Sequence, residues 1–237
     1  MNIAKGEILH FDKPLGWTSF NLVAKVRWLI CRKAGVKKLK VGHAGTLDPL
    51  ATGVMTICVG KATRLINQLQ AHVKEYEATL QLGATTPSFD LEKPVDAHYP
   101  TGHITREGIL EVLQHFIGQI EQVPPSFSAC KVNGHRAYDL ARKGQEVNLQ
   151  PKTLVIDSLE LLDFNPDTMQ MSIRVTCSKG TYIRALARDI GEALGSGAHL
   201  LSLRRTRVGE VRVEECMDIE RFPEWLESQE IIQRSYI

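Results

Sequence analysis

Apolar residues recur at helical spacing in three segments, residues 18–33, 105–118 and 181–194. In the first segment Thr18 or Ser19 can cap the helix and Gly35 can end it. In the other two segments the apolar stripe also covers one side only. The pattern therefore predicts three amphipathic helices.

Strand patterns occur between these helices. Residues 54–59 form a short apolar run, and residues 74–82 alternate between polar and apolar side chains. Two further strands flank Asn165-Pro166-Asp167 and predict an antiparallel hairpin, and another strand is expected at 199–208. No Gly/Ser-rich or Pro-rich linker divides the chain. We therefore expect one mixed α/β catalytic domain followed by a short C-terminal tail.

The composition is that of a globular protein. The 237 residues can bury a substantial core, and the apolar share of 43% excludes disorder. No apolar run approaches the roughly 18 residues of a membrane helix, and the N-terminus lacks the features of a signal peptide, so we expect a cytoplasmic protein. The five cysteines are scattered without metal-ligand spacing, which predicts reduced thiols and no metal site.

Charge is distributed unevenly, although the formal net charge is only +2. Residues 13–47 contain Lys and Arg but no Asp or Glu, and a second basic cluster lies at 204–212. Acidic residues dominate 214–230. The basic segments are compatible with a solvated surface or with a polyanion-binding surface.

A glycine-rich loop, GHAGTLDPLATG at 42–53, contains one acid. Asp48 precedes Pro49, which favours extended backbone and can present the carboxylate from a rigid loop, although an ordinary turn residue fits the same pattern. A phosphate-binding loop at Gly60-Lys61 is excluded because Met55 and Ala62 occupy positions that the Walker pattern reserves for Gly and for Ser or Thr.

Six segments together resemble the TruB family of tRNA pseudouridine-55 synthases, in the same order along the chain. They are DKPLGWTS at 12–19, the loop at 42–53, KEYEATLQLG at 74–83, PPSFSACKVNGHRAYDLARKG at 124–144, SKGTYIRALARDIGEALG at 178–195 and GAHLLSLRRTRVG at 197–209.

The resemblance implies an α+β pseudouridine synthase fold, with a mixed and largely antiparallel sheet, flanking helices and a central catalytic cleft. It implies a catalytic domain over residues 1–213 with an RNA-clamping insertion at about 124–149. Residues 214–237 are then expected to be a short acidic tail without the C-terminal PUA domain that many relatives carry.

The implied reaction isomerises uridine 55 in the T loop of tRNA to pseudouridine without a cofactor or metal. By resemblance Asp48 is the essential carboxylate, acting as nucleophile or as base at the ribose. Arg184 matches the family's arginine and is expected to pair with Asp48. A guanidinium beside a carboxylate lowers the pKa of that carboxylate. Tyr76 matches the tyrosine that stacks on the flipped base.

Further roles follow from the resemblance and from the basic clusters. Substrate contacts are expected from His43, Lys13, Arg64, Asp90, Tyr182 and Leu203. RNA contacts are expected from Lys131, Arg136, Arg142, Lys143, Arg204 and Arg205.

The expected partner is the T stem-loop of tRNA, bound by a monomer that needs no obligate protein partner and no membrane. The chain departs from the family pattern at Thr86-Pro87-Ser88, before Asp90, and at Phe127, where the family usually has tyrosine. A tRNA-binding or folding-assisting protein without turnover is the alternative function, against which the presence of Asp48, Tyr76 and Arg184 argues.

Overall fold

The computed structural model describes residues 1–128, 131–132, 135–136 and 149–232, and for residues 131, 132, 135 and 136 it describes the backbone. None of the described helices is both long and apolar enough to span a membrane.

The described secondary structure comprises fourteen strands, five α-helices and two 3-10 helices. The strands are β1 Glu7–Lys13, β2 Val41–His43, β3 Ala51–Val59, β4 Lys74–Leu82, β5 Ala84–Thr85, β6 Ala97–His98, β7 Gly118–Gln122, β8 Lys131–Val132, β9 His135–Arg136, β10 Lys152–Asn165, β11 Gln170–Cys177, β12 Ala198–Val208, β13 Val211–Arg212 and β14 Met217–Asp218. The helices are α1 Ser19–Ala34, α2 Ile66–Gln70, α3 Arg106–Gln114, α4 Ile183–Ala193 and α5 Phe222–Glu227, with 3-10 helices at Gly60–Leu65 and Val213–Glu215.

The chain forms two compact units. Unit 1 comprises Met1–Lys74 and Arg204–Ile237, and unit 2 comprises Glu75–Leu203. Strand β12 begins in unit 2 and ends in unit 1, so the chain passes between the units within this strand.

Unit 1 is built on the strand order β14-β1-β3-β12, with β2 also paired to β3. Strand β1 is antiparallel to β3 and parallel to β14, so the sheet is mixed. Phe11 is completely buried and packs edge-on against Phe222 of α5, with the ring centroids 5.1 Å apart. The acidic segment that the sequence sets apart as a tail thus contributes β14 and α5 to unit 1.

Helix α1 confirms the predicted first helix and both of its ends. The Thr18 side chain accepts a hydrogen bond from the Asn21 backbone N–H, and Gly35 ends the helix in the left-handed conformation with φ 66°. The sequence predicts a buried stripe of Phe20, Val23, Val26 and Ile30. Val23, Val26 and Ile30 are buried, whereas Phe20 is 67% exposed and Leu22 is buried instead. Burial of this stripe on unit 1, rather than intrinsic propensity, stabilises a helix of this length.

Unit 2 is built on the strand order β12-β4-β11-β10-β7. The predicted hairpin is β10 and β11, whose register pairs Leu159 with Val175 and Leu161 with Ile173. Strand β4 spans 74–82, as the alternation predicts, and buries every second residue. The prediction of a mixed, largely antiparallel sheet with flanking helices is therefore confirmed.

In unit 2 one predicted helix end is wrong and one strand was not predicted. Helix α3 ends at Gln114, although the apolar pattern continues to Ile117. Gly118, with φ 98°, begins strand β7 instead of ending the helix, and β7 pairs antiparallel with β10. The strand was missed because GQIEQ is short and mostly polar.

Candidate active site

The loop that carries Asp48 is tied to the first residue of α1. The Ser19 hydroxyl donates to the Leu47 carbonyl oxygen and accepts from the Leu47 backbone N–H, both at 2.9 Å. The Ala51 N–H closes a turn by donating to the Asp48 carbonyl oxygen at 3.1 Å. Ser19 and Leu47 are buried, whereas Asp48 is only partly exposed. The backbone on both sides of Asp48 is therefore fixed, and the residue itself remains partly exposed.

Arg205 of β12 fixes the same loop from within unit 1. Its guanidinium donates to the carbonyl oxygens of Val54 at 2.8 Å, Gly45 at 3.1 Å and Thr46 at 3.4 Å. Arg205 is 1% exposed. In this conformation the buried Arg205 guanidinium donates to three carbonyl oxygens of unit 1, so we expect it to support the loop from within and not to contact RNA phosphates.

Gly53 permits this contact between β3 and β12. Its φ is 107°, and a Cβ atom at this position would overlap the Arg205 backbone. Only glycine combines the left-handed conformation with such a close approach of two backbones.

Lys13 lies completely buried at the end of β1. Its ammonium donates to the carbonyl oxygens of Pro14 at 2.9 Å and Trp17 at 2.7 Å, with the Pro49 carbonyl oxygen at 3.5 Å. Burial lowers the pKa of Lys13 to about 8, while the negative charge of Asp48 opposes this shift. Lys13 therefore supports the Asp48 loop through the backbone and places a positive charge near the carboxylate.

His43 is the last residue of β2 and lies in the glycine-rich segment 42–53, on the N-terminal side of Asp48. Its Nδ1 atom is buried and has no hydrogen-bond partner among the residues that the structure describes. Burial lowers the pKa of His43, and the positive charge of Arg205 lowers it further, while a hydrogen bond with the Gly45 backbone opposes both shifts. A buried ring nitrogen without a partner is unfavourable in the free protein and suits a site that a ligand completes.

In unit 2, Arg184 lies in the first turn of α4 and is 4% exposed. Its Nε atom is 3.6 Å from Asp90 Oδ2, Nη1 donates to the Ser88 carbonyl oxygen at 3.1 Å, and Nη2 donates to the Phe127 carbonyl oxygen at 2.8 Å. The predicted substrate residue Asp90 is thus a partner of the predicted catalytic residue Arg184. The guanidinium is held from several sides and has a fixed orientation.

The segment that departs from the family pattern still organises Asp90. The Thr86 and Ser88 hydroxyls donate to the Asp90 carbonyl oxygen at 2.7 and 3.3 Å, and Asp90 Oδ1 accepts from the Glu92 N–H at 2.9 Å. Between them Phe89 has φ 61°, an uncommon conformation for a bulky residue. Phe127 contacts Arg184 through its carbonyl oxygen, so replacing the usual tyrosine leaves this hydrogen bond intact.

Two tyrosines of unit 2 sit on rigid elements. Tyr76 is buried on the inward side of β4. Tyr182 is the N-cap of α4, where its backbone N–H donates to Gln122 Oε1 at 2.9 Å and its carbonyl oxygen accepts from Gln122 Nε2 at 3.2 Å. Gln122 is a buried side chain at the end of β7. The two hydrogen bonds with the buried Gln122 side chain therefore hold the start of the helix that carries Arg184.

The remaining predicted residues are placed as follows. Arg64 is exposed in the first 3-10 helix, and Leu203 is half-buried in β12. Arg204 is paired with Asp12 through two hydrogen bonds of 3.1 and 2.7 Å and keeps 41% of its side chain exposed. The side chains of Lys131 and Arg136, and the whole of Arg142 and Lys143, lie outside the described residues.

Unit 1 thus brings together one group of the predicted site residues and unit 2 another. Unit 1 holds Lys13, His43, Asp48, Arg64, Arg204 and Arg205, and unit 2 holds Tyr76, Asp90, Tyr182, Arg184 and Leu203. Among the described residues, no group of three or more His, Cys, Asp or Glu side chains is placed to hold a metal ion.

Sequence reasoning missed the supporting residues. Ser19 reads as an ordinary helix start, and nothing in its neighbourhood indicates that it binds Leu47. Gln122 lies in a strand that was not predicted. The carbonyl contacts of Ser88 and Phe127 depend on tertiary structure and leave no signal in the side-chain pattern.

Comparison with known proteins identifies the family. The model of the N-terminal domain of TruB family pseudouridylate synthases matches residues 32–183, and that of the C-terminal domain of tRNA pseudouridylate synthase B matches residues 184–236. The tRNA pseudouridine synthase B of Phocaeicola vulgatus is 70% identical over 231 residues, which are 98% of this chain and 97% of the relative. That of Bacteroides thetaiotaomicron is 68% identical over 233 residues, which are 98% of this chain and 97% of the relative.

A solved structure agrees with this result. A chain in the crystal structure of a Cbf5-Nop10-Gar1 complex is 30% identical, with a TM-score of 0.69, and the match covers 95% of this chain and 56% of that chain. The sequence matches span nearly the whole of both proteins, and the structural match reproduces the arrangement of the strands and helices. The chain therefore belongs to the TruB family of pseudouridylate synthases.

Proposed function

We propose that this enzyme isomerises uridine 55 in the T loop of tRNA to pseudouridine, with Asp48 as the essential carboxylate. The names of the relatives, tRNA pseudouridine synthase B, support the tRNA substrate. The observation that carries the proposal is the fixation of one loop by Ser19, Lys13 and Arg205, and this loop contains a single carboxylate, that of Asp48. Such preorganisation is what catalysis by a positioned group requires.

The reaction exchanges one bond to the ribose for another. The bond from C1′ of the ribose to N1 of uracil breaks, the base turns, and C1′ forms a bond to C5. The proton on C5 is then lost, and N1 gains a proton, so the product is an isomer of the substrate. Asp48 acts at the ribose as nucleophile or as base, and both roles require the ionised carboxylate.

Arg184 is proposed to keep Asp48 ionised and correctly oriented. The support is that its guanidinium is buried and already oriented by Asp90, Ser88 and Phe127. A cation that is oriented before the substrate binds need not reorganise during the reaction. Asp90 is then a positioning residue for Arg184, and Tyr182 and Leu203 are proposed to line the substrate site.

Tyr76 is proposed to stack on the everted base, and His43 is proposed to occupy the space that the base leaves in the RNA. Tyr76 is rigid on β4 and offers an aromatic face for an unpaired uracil. The unpartnered Nδ1 of His43 can gain a hydrogen bond in the complex. Both contacts would offset the few kcal/mol that base extrusion costs.

The RNA itself is proposed to be bound by cations around the site. Arg204 keeps an exposed guanidinium on β12, and Arg64 is exposed in the first 3-10 helix. Lys131, Arg136, Arg142 and Lys143 of the insertion at 124–149 are proposed to contact phosphates, which predicts strongly salt-dependent affinity.

We propose a monomer that works in the cytoplasm without an obligate protein partner. Sedimentation analysis of the protein with and without tRNA tests the monomer, because a dimer would double the mass of the free protein.

Tritium release distinguishes catalysis from binding alone. The wild-type protein, in excess over a T stem-loop transcript labelled with tritium at C5 of uridine, is expected to release the label from one position. The same loop with cytidine at the target position is the control and is expected to release none. Binding without release from the uridine transcript would contradict the proposal and favour a tRNA-binding protein without turnover.

A further inference from the structure

The outward side of α1 carries an aromatic residue between two cations. Opposite the buried stripe of this helix, Lys25, Trp28 and Arg32 are exposed in one row, with Trp28 53% exposed. Their spacing of three and four positions places them on neighbouring turns of one face. We call these three residues the α1 surface.

Trp28 orders both cations of the α1 surface. Lys25 Nζ lies 5.7 Å from the centre of the Trp28 ring, and the Arg32 guanidinium carbon lies 5.4 Å from it. These cation–π contacts restrict two long side chains that otherwise move freely in water. The result is two positive charges about 10 Å apart along the helix axis.

No acid in the surrounding sequence neutralises this surface. Residues 13–47 contain no Asp or Glu, and exposed Lys37, Lys38 and Lys40 follow the helix. Lys33, next to Arg32, behaves differently because it is bound to Glu227 of α5 at 2.8 Å and is turned away from the exposed row. The positive charges of the α1 surface are therefore available to a polyanion from solution.

The α1 surface lies on the same element as the anchor of the Asp48 loop. Ser19, which binds Leu47, begins the helix, and Trp28 follows nine positions later. At about 1.5 Å per residue, Trp28 is about 14 Å along the axis from that anchor. An RNA whose target base reaches Asp48 is many times longer than this distance, so another part of the same RNA can reach the α1 surface.

From this arrangement we infer that the α1 surface is a second RNA-binding site, which contacts the sugar–phosphate backbone of the tRNA outside the loop that holds the target uridine. The inference rests on the proposed function, since it assumes an RNA substrate at Asp48. Lys25 and Arg32 bind phosphates, and Trp28 contacts a sugar or base between them. Two cations on either side of an exposed aromatic ring suit RNA, because Lys and Arg bind its phosphates and the ring offers a face on which a base can stack.

Binding of an unmodified tRNA transcript over a series of salt concentrations tests the inference. For Lys25→Gln/Arg32→Gln we expect affinity at moderate salt to fall about tenfold. We also expect the slope of log K against log salt to fall by about 1.5, as two phosphate contacts are lost. For Trp28→Ala we expect affinity to fall about fivefold with an unchanged slope, since stacking on RNA does not release counterions.

Lys33→Gln is the matched control because it removes one positive charge from the same helix. Affinity and salt slope are expected to stay at wild-type values. The inference is overturned if the double variant binds tRNA with wild-type affinity and slope, as is expected of a protein-binding surface. It is also overturned if Lys33→Gln lowers the affinity and the slope as the double variant does. Circular dichroism of each variant confirms that α1 is intact.

Pseudouridine formation is measured on the same transcript to separate this inference from the proposed function. The double variant is expected to raise KM and to keep the wild-type kcat, because the α1 surface touches no reacting atom. If the wild-type protein binds tRNA but forms no pseudouridine, the proposed function fails while the affinity measurements still decide whether the α1 surface binds RNA.

Discussion

Arg184 Nε lies 3.6 Å from Asp90 Oδ2, and both side chains are almost completely buried. Exposed ion pairs contribute little to stability, but a buried guanidinium depends on its acceptors. The same guanidinium also donates to two carbonyl oxygens, so Asp90 is one of three groups that fix the orientation of Arg184. The pair therefore links the stability of unit 2 to the proposed chemistry.

We expect Asp90→Asn to weaken the interactions that orient the Arg184 guanidinium. The free energy of unfolding should fall by about 2 kcal/mol, as for the loss of a buried charge-assisted contact, and kcat should fall more than tRNA affinity. Urea denaturation and steady-state kinetics measure the two effects. The control is Asp96→Asn, an exposed aspartate bound to Thr85, which should change stability by less than about 0.5 kcal/mol. Wild-type kcat in Asp90→Asn would refute the positioning role.

A second prediction separates the two neighbouring arginines of β12. Arg205→Gln should lower the free energy of unfolding by about 3 kcal/mol, since it leaves buried carbonyl oxygens without donors. The salt dependence of tRNA binding should stay unchanged because Arg205 is internal. Arg204→Gln, at a partly exposed position, should instead reduce the salt slope by about 0.8. If Arg205→Gln also reduced the slope, Arg205 would be an RNA contact after all.

The third prediction concerns Gly53. Gly53→Ala should destabilise unit 1 by more than about 2 kcal/mol, because the added methyl group meets the Arg205 backbone and alanine tolerates a positive φ poorly. Gly16→Ala is the control, since Gly16 also has a positive φ, 80°, but nothing within 4 Å of an added Cβ. Its penalty should be about 1 kcal/mol. Equal melting temperatures for the two variants would show that crowding at Gly53 is unimportant.

The lowered pKa of Lys13 should make the stability of the protein increase with pH in the alkaline range. Burial lowers the pKa of Lys13 from 10.5 in the unfolded chain to about 8 in the folded protein. Below pH 8 the ammonium is protonated in both states, so its contribution is constant there. Between pH 8 and about 10.5 the unfolded chain binds more protons, and the contribution of Lys13 to stability therefore rises with pH.

Urea denaturation of the wild type and of Lys13→Met between pH 7 and 10.5 isolates this effect. The stability of the wild type minus that of the variant should increase above pH 8, since other titrating groups cancel in the difference. A difference that is flat or falls over this range would mean that the pKa of Lys13 is not lowered in the folded protein.

Local patterns predicted most of the regular elements. Helix α1 was predictable because polar residues and Gly35 mark its ends and apolar residues recur at helical spacing between them. Strand β4 was predictable because polar and apolar residues alternate along it. Strand β7 was not, because its short polar sequence acquires strand structure only through pairing with β10. Tertiary pairing can override a weak local preference in this way.

The candidate site was predictable only to the level of residue identity. The resemblance singled out Asp48 and Arg184, but Arg205 looked like its exposed neighbour Arg204, since charge is visible in a sequence and burial is not. Adjacent strand residues face opposite sides of a sheet, so Arg204 and Arg205 were not expected to share one environment. The roles of Ser19 and Gln122 depend on contacts with residues 28 and 60 positions away.

The rate of pseudouridine formation by Asp48→Asn, measured in a single turnover on a T stem-loop with enzyme in excess, tests the central claim most directly. The account predicts a fall of about 10³-fold or more, with RNA affinity within about twofold of the wild type. The control Asp167→Asn, at an exposed hairpin turn, should react at the wild-type rate. An Asp48→Asn enzyme that forms pseudouridine at a rate close to that of the wild type would contradict the account.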